Sequence, residues 1–194
     1  MMLEENNCII HQSSDKAATF NRVSASGRFS EVLECCCSVS AGRPSKWVDI
    51  KSKLSHLGYK EVGESSSALS VEDVSDTPEA ILDSGFIAFQ VEFAETKAPQ
   101  VRCTWTAFFK SDQASLYIAA PSTMSASSRQ SLVSLLELAA SLNCATAWVY
   151  IDRQRPDFMS IVLAFKHLGF QLACETVKNN RGNKMFVMLR SDIE

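Results

Sequence analysis

The residues of this chain that could do chemistry are scattered rather than clustered. Its three histidines are dispersed, at His11, His56 and His167. His167 falls in the last turn of a Leu- and Val-rich segment, where an imidazole most simply stabilises the end of a helix dipole. Seven cysteines are present, at 8, 35, 36, 37, 103, 144 and 174. Cys35, Cys36 and Cys37 are consecutive, so they cannot wrap one tetrahedral ion, and the paired C-x-x-C spacing of a zinc site is missing. Cys144 and Cys174 lie beside apolar runs and read as core thiols, not nucleophiles. No catalytic or metal-binding set emerges. An odd cysteine count, with Glu4, Glu5 and Asn6 where an apolar leader would run, predicts a reducing interior compartment.

The elements that would position any site are concentrated in the second half. From Phe86 the pattern has period two, with Ile87, Phe89, Val91 and Phe93 on one face. Thr96 to Gln100 turns into a return strand, Val101–Phe109, and residues 111–114 turn again into Leu116–Ala120. Pro121 ends that strand. Leu132, Leu135, Leu136, Ala139 and Leu142 then form a helical stripe, with Ser125 to Ser128 as candidate caps. Ala147–Ile151 is a short apolar run suited to an interior strand covered on both faces. A second helix through Met159, Val162, Phe165 and Leu168 follows Pro156 and ends at Gly169. Phe170–Cys174 and Met185–Leu189 are the last strands, joined by the turn 179–183. The expected class is α/β (α+β): a mixed sheet with two main helices in the order β-β-β-α-β-α-β-β.

Composition separates this unit from what precedes it. Through Asp83 there are 13 acidic and 8 basic side chains; from Ser84 onward there are 9 and 11. Residues Glu61–Asp83 hold seven acids and no Lys or Arg, which reads as a solvated linker. Residues 1–84 are therefore expected to be polar and largely disordered, with a brief helix at most around Glu31–Cys35 and a short helix at 46–57. In the latter, Trp47, Ile50, Leu54 and Leu57 recur at spacings of three and four, and Gly58 stops the run. Residues 85–194 form the expected domain. The mild net charge of −3 and the lack of a long apolar run predict neither a nucleic-acid partner nor membrane insertion.

The order of strands and helices, with Leu168-Gly169-Phe170 between the second helix and the next strand, is similar to the GCN5-related N-acetyltransferase fold. Enzymes of that fold hold the acyl-CoA pyrophosphate with a Gly-rich loop at the start of the first long helix, where backbone N–H groups and the helix N-terminus favour anions. The corresponding loop here, Pro121–Gln130, contains no glycine. No cofactor is expected, and a divergent acyl-CoA-dependent N-acetyltransferase is the alternative reading.

A closer resemblance lies in the same stretch. Trp105, Ser115-Leu116-Tyr117-Ile118 with Pro121, Leu135-Leu136-Glu137-Leu138-Ala139 and Phe165-x-x-Leu168-Gly169-Phe170 follow one another as in the ornithine decarboxylase antizyme family. The resemblance implies an acetyltransferase-like fold without catalysis. It implies a protein that binds the ornithine decarboxylase monomer, blocks its homodimerisation and promotes ubiquitin-independent proteasomal degradation, so regulating polyamine synthesis and uptake. The implied partners are the decarboxylase, an antizyme inhibitor and the proteasome, in the cytoplasm and also the nucleus, with synthesis dependent on a ribosomal frameshift. Carried over position by position, Arg129 takes the family's basic place near the start of the first long helix, and Glu137 the first acidic place. Ala173 takes an apolar contact place. The next two acidic places are Ala140 and Ser141, a departure from the family pattern that should weaken electrostatic steering.

Overall fold

The computed structural model describes residues 18–23, 27–39, 45–64, 76–78, 81, 86–122, 124, 126–179 and 181–193. From Phe86 on, the expected order is observed: β4 (Phe86–Glu95), β5 (Ala98–Lys110), β6 (Ser115–Ala119), α2 (Ala126–Ser141), β7 (Thr146–Asp152), α3 (Phe158–His167), β8 (Gln171–Lys178) and β9 (Met185–Asp192). The strands β4, β5 and β6 form an antiparallel meander. β7 then pairs parallel to β6, the crossover running through α2. β9 inserts between β7 and β8 and pairs antiparallel to both.

The first part of the chain departs from expectation. The described residues between 18 and 64 carry regular structure where an unstructured leader is expected. They supply β1 (Ala18–Val23), β2 (Phe29–Val39), α1 (Ser45–His56) and β3 (Lys60–Glu64). The three strands extend one sheet, in the order β3-β1-β2-β4-β5-β6-β7-β9-β8. The segment around Glu31–Cys35 is strand, not helix. β2 pairs with β1 on one side and with β4 from Phe29↔Glu95 to Val39↔Phe86 on the other, and two ladders outweigh a weak local preference. The helix expected at 46–57 is present as α1. Of the acidic stretch Glu61–Asp83, expected as a linker, residues 61–64 belong to β3 and most of the rest lies outside the described residues, as do the side chains of Cys35, Cys36, Cys37 and Cys174 and the candidate cap Ser125.

Alternation along the strands splits the core into two layers. Ala107, Phe109, Leu116, Ile118, Val149, Ile151 and Leu189 point to one face, where α1, α2 and α3 all pack. Phe108, Tyr117, Tyr150, Phe186 and Met188 point to the other, which Ile81 helps to close. β7 is thus buried on both faces as its apolar run predicts, but the described helices cover one face alone. Helix α3 also differs in detail. Ile161, Val162 and Phe165 are its buried residues, whereas Met159 turns outward, and the helix begins two residues after Pro156.

Candidate partner-binding face

Helix α2 is anchored by two kinds of side chain. Leu132, Leu135, Leu138, Ala139 and Leu142 are buried in the helix-side core, each leucine contributing about 2 kcal/mol by removing apolar surface from water. Between them runs a seam of buried serines at three-residue spacing: Ser128, Ser131 and Ser134. Trp105, fully buried on β5, donates its indole N–H to Ser131 Oγ at 2.7 Å, and Ser131 donates in turn to the Ser128 carbonyl at 3.0 Å. Cys103 Sγ lies 3.5 Å from Ser128 Oγ. Ser128, expected as a cap, is therefore an interior helix residue that fixes α2 over β5.

Ser134 continues the seam into a buried ionic network. Its hydroxyl donates to Glu31 Oε1 at 2.9 Å. Glu31 is 1% exposed and is the direct cross-strand partner of Arg22. Arg22 grips it bidentately, with Nη2 2.9 Å from Oε2 and 3.1 Å from Oε1, and Tyr59 donates its hydroxyl to Oε2 at 2.5 Å. Both oxygens of this buried carboxylate are thus taken up by donors, the charge-assisted kind of hydrogen bond. Tyr59 is placed by the end of α1: Gly58 adopts φ +83°, the left-handed turn that lets the Tyr59 N–H bond back to the Leu54 carbonyl at 3.0 Å. The Arg22 guanidinium lies 4.6 Å from the centre of the Tyr59 ring and donates to the Leu57 carbonyl at 3.3 Å. Burial opposes its charge, but Tyr59, Glu31 and Glu137 together raise the Arg22 pKa above the ordinary value. Burial, reinforced by Glu31, likewise raises the Tyr59 phenol.

This network reaches the surface at Glu137. Glu137 Oε2 lies 3.6 Å from Arg22 Nη2, and its side chain is 55% exposed. Arg129, Val133 and Glu137 are all exposed and fall at i, i+4 and i+8 on one ridge of α2. The ridge places the cationic and anionic groups about 12 Å apart along the helix axis. Ala140 is exposed next to Glu137, and Ser141 is partly buried. Ala173 is not on this ridge. It lies half-buried on β8, the outermost strand, which β9 separates from β7.

The loop between β6 and α2 has its own anchor. Arg155 donates from Nη1 to the Ala120 and Pro121 carbonyls at 3.2 and 2.7 Å. Its Nη2 donates to the Ser122 carbonyl at 2.9 Å. Asp157 takes the Nε and a second Nη2 bond at 3.0 and 3.1 Å, and the hydrogen bonding to Arg155 holds its carboxyl below the usual range. Three successive carbonyls therefore turn toward a protein cation. A phosphate cradle requires the opposite, N–H groups converging on an anion.

Sequence reasoning singled out Arg129, Glu137 and Ala173, and missed Glu31, Arg22, Tyr59 and Arg155. A signal for Glu31 existed, since it shares a strand face with Phe29 and Leu33. Among the described residues no cluster of His, Cys, Asp and Glu could hold a metal ion, and no helix is long and apolar enough to cross a membrane.

The family profile described as ornithine decarboxylase antizyme matches residues 90–191, just over half of the chain. The chain belongs to the ornithine decarboxylase antizyme family. The match begins inside β4 and ends in β9, so it spans both long helices of the second half. Among curated proteins, no sequence matches the chain. Solved structures that resemble it include acetyltransferases. A GNAT-family protein from Chromobacterium violaceum has a TM-score of 0.46 at 11% identity, over 99% of this chain and 93% of that one. Nourseothricin acetyltransferase gives 0.41 at 10% identity, over 100% and 96%. The ribosomal-protein-S18-alanine N-acetyltransferase from Escherichia coli gives 0.35 at 12%, over 66% and 92%. Likenesses this distant assign no activity to the chain.

Proposed function

We propose that this chain inhibits ornithine decarboxylase by binding its monomer, blocking homodimerisation and promoting ubiquitin-independent proteasomal degradation, and so regulates polyamine synthesis and uptake. Family membership over residues 90–191 is the observation that carries this reading. The contact residues are Arg129 and Glu137 on α2, with Ala173 on β8. An antizyme inhibitor and the proteasome are the further partners, acting in the cytoplasm and the nucleus, and production of the full chain depends on a ribosomal frameshift. The chain is not an enzyme in this reading. The acyl-CoA-dependent alternative is disfavoured by Arg155, which gathers the carbonyls of the loop where a pyrophosphate would need N–H donors.

Size-exclusion chromatography of the chain mixed with the decarboxylase of its own organism tests the proposal. The expected result is loss of the decarboxylase dimer peak and appearance of a one-to-one complex, with activity falling in proportion. An unshifted dimer at micromolar concentrations of both proteins excludes it. Acetyl-CoA should leave the melting temperature of the chain unchanged; a rise that grows with cofactor concentration points to the enzyme instead.

A further inference from the structure

Glu137 is the acidic side chain of the α2 ridge, and α2 supplies no cation to orient it. Its neighbours at helical spacing are Val133, Ser134, Ala140 and Ser141, none of which can form an i±3 or i±4 ion pair. Arg129, the basic side chain of the ridge, stands two turns away and out of reach. The cation beside Glu137 comes from β1 instead, where Arg22 Nη2 lies 3.6 Å from Glu137 Oε2. Arg22 is itself held by both oxygens of Glu31, by the Leu57 carbonyl and by the Tyr59 ring. Its side chain is 14% exposed, that of Glu137 55%. A pair of this length to a half-exposed carboxylate adds little to stability. What it does is narrow the positions that a long, rotamer-rich side chain samples.

We infer that Arg22 is a positioning residue for partner capture, holding the Glu137 carboxylate on the ridge ready for a cation of the decarboxylase. The inference rests on the capture reading above and adds to it a residue outside the matched span 90–191. Charge balance favours positioning over competition. One cation stands between two anions, Glu31 and Glu137, and Glu31 takes the three shorter bonds. Glu137 therefore keeps attraction to spare for a basic side chain arriving from solvent. A carboxylate ordered in advance loses less freedom on binding than one that the partner must order. The gain belongs to the dissociation rate, whereas steering follows net charge.

The test is a double-mutant cycle on capture of the decarboxylase by the full chain, read as association and dissociation rates. Arg22→Met with Glu31→Met removes a cation and an anion together, so the local net charge is unchanged. The expected result is an unaltered association rate and dissociation faster by about threefold to tenfold. Glu137→Gln should weaken capture in the parent, and its effect should be smaller by about threefold or more in the Met-substituted background. Arg129→Ala, on the same helix, should cost the same in both backgrounds. If the double substitution leaves the chain unfolded, Arg22→Lys decides. One ammonium keeps a charge opposite Glu31 but lacks the fork that reaches both carboxylates, so the same faster dissociation is expected. Equal effects of Glu137→Gln in the two backgrounds overturn the role of Arg22 and leave the capture reading standing. Loss of the Arg129 contribution together with that of Glu137 means that α2 as a whole has shifted, and overturns it too. Wild-type capture that Glu137→Gln leaves unchanged removes the contact and with it the proposal. No capture by the wild type overturns both readings.

Discussion

Ser134 on α2 donates a hydrogen bond of 2.9 Å to Glu31 on β2, across 103 positions of sequence. Through that bond β2 holds the helix that carries Arg129 and Glu137. Arg22 extends the connection, since the guanidinium that neutralises Glu31 also lies beside Glu137. The proposed binding face therefore depends on strands that the family profile does not cover.

Replacing Glu31 by Gln should destabilise the chain by about 3 kcal/mol, because Arg22 would then be a largely buried cation without its anion. Urea unfolding with both proteins in one buffer checks this. The double variant Glu31→Met with Arg22→Met should recover much of the loss, as apolar replacement of a whole buried pair is often close to neutral. A double variant as unstable as the single one would show that the charge pair is not the cause.

Glu137→Lys should cost about 1 kcal/mol of stability, because it sets a cation beside Arg22 in place of an anion, and weaken decarboxylase capture by more than about 1 kcal/mol. Arg129→Glu should act in the same direction. Calorimetric or surface-based titration against the monomeric decarboxylase reads both. Unaltered affinity in both variants would remove the α2 ridge from the interface.

Strand and helix order from Phe86 to Asp192 was legible because one face of each element is apolar: Ile87, Phe89, Val91 and Phe93 mark β4 as plainly as Leu132, Leu135 and Leu142 mark α2. The first strands were not legible for a physical reason. β2 is stabilised by partners on both sides and by a buried Glu31 whose donors come from β1, the turn after α1, and α2, so its strand character lies in distant residues. Ser128 looked like a cap because a hydroxyl near a helix start usually is one, and Ser131 and Ser134 carried no signal of their own. The partners that tie them to the sheet, Cys103, Trp105 and Glu31, sit on other elements. The grip of Arg155 is on backbone carbonyls, which every residue has, so no side-chain pattern announces it. Arg129 and Glu137 were found by family likeness and fall on one ridge; Ala173 was found the same way and lies apart from them.

Arg155→Leu should release the turn between β6 and α2. Three carbonyls would lose their donor and Asp157 its partner, at a cost of about 2 kcal/mol with part of the loss made good by water. Amide hydrogen exchange should quicken at the start of α2 while β4 and β5 keep their protection. Uniform acceleration across the sheet would instead mean that the substitution unfolds the whole domain.

Alkaline pH should weaken the fold. Burial pushes the Cys144 thiol up to about 12, with Lys53 pulling weakly the other way, and Tyr59 is raised as well. Both groups are neutral when protonated and prefer that form in the folded state. Their contribution is complete below the pKa of the unfolded thiol, about 8.5, and of the unfolded phenol, about 10, and is lost as pH climbs toward the folded values. Stability measured by urea unfolding should therefore be flat near neutral pH and decline from about pH 9 upward. Cys144→Val removes the thiol while keeping an apolar side chain in the same space, so its decline should be shallower than that of the parent through the same range. Parallel curves for the two proteins would mean that the buried thiol does not titrate with unfolding, and that the alkaline loss comes from elsewhere.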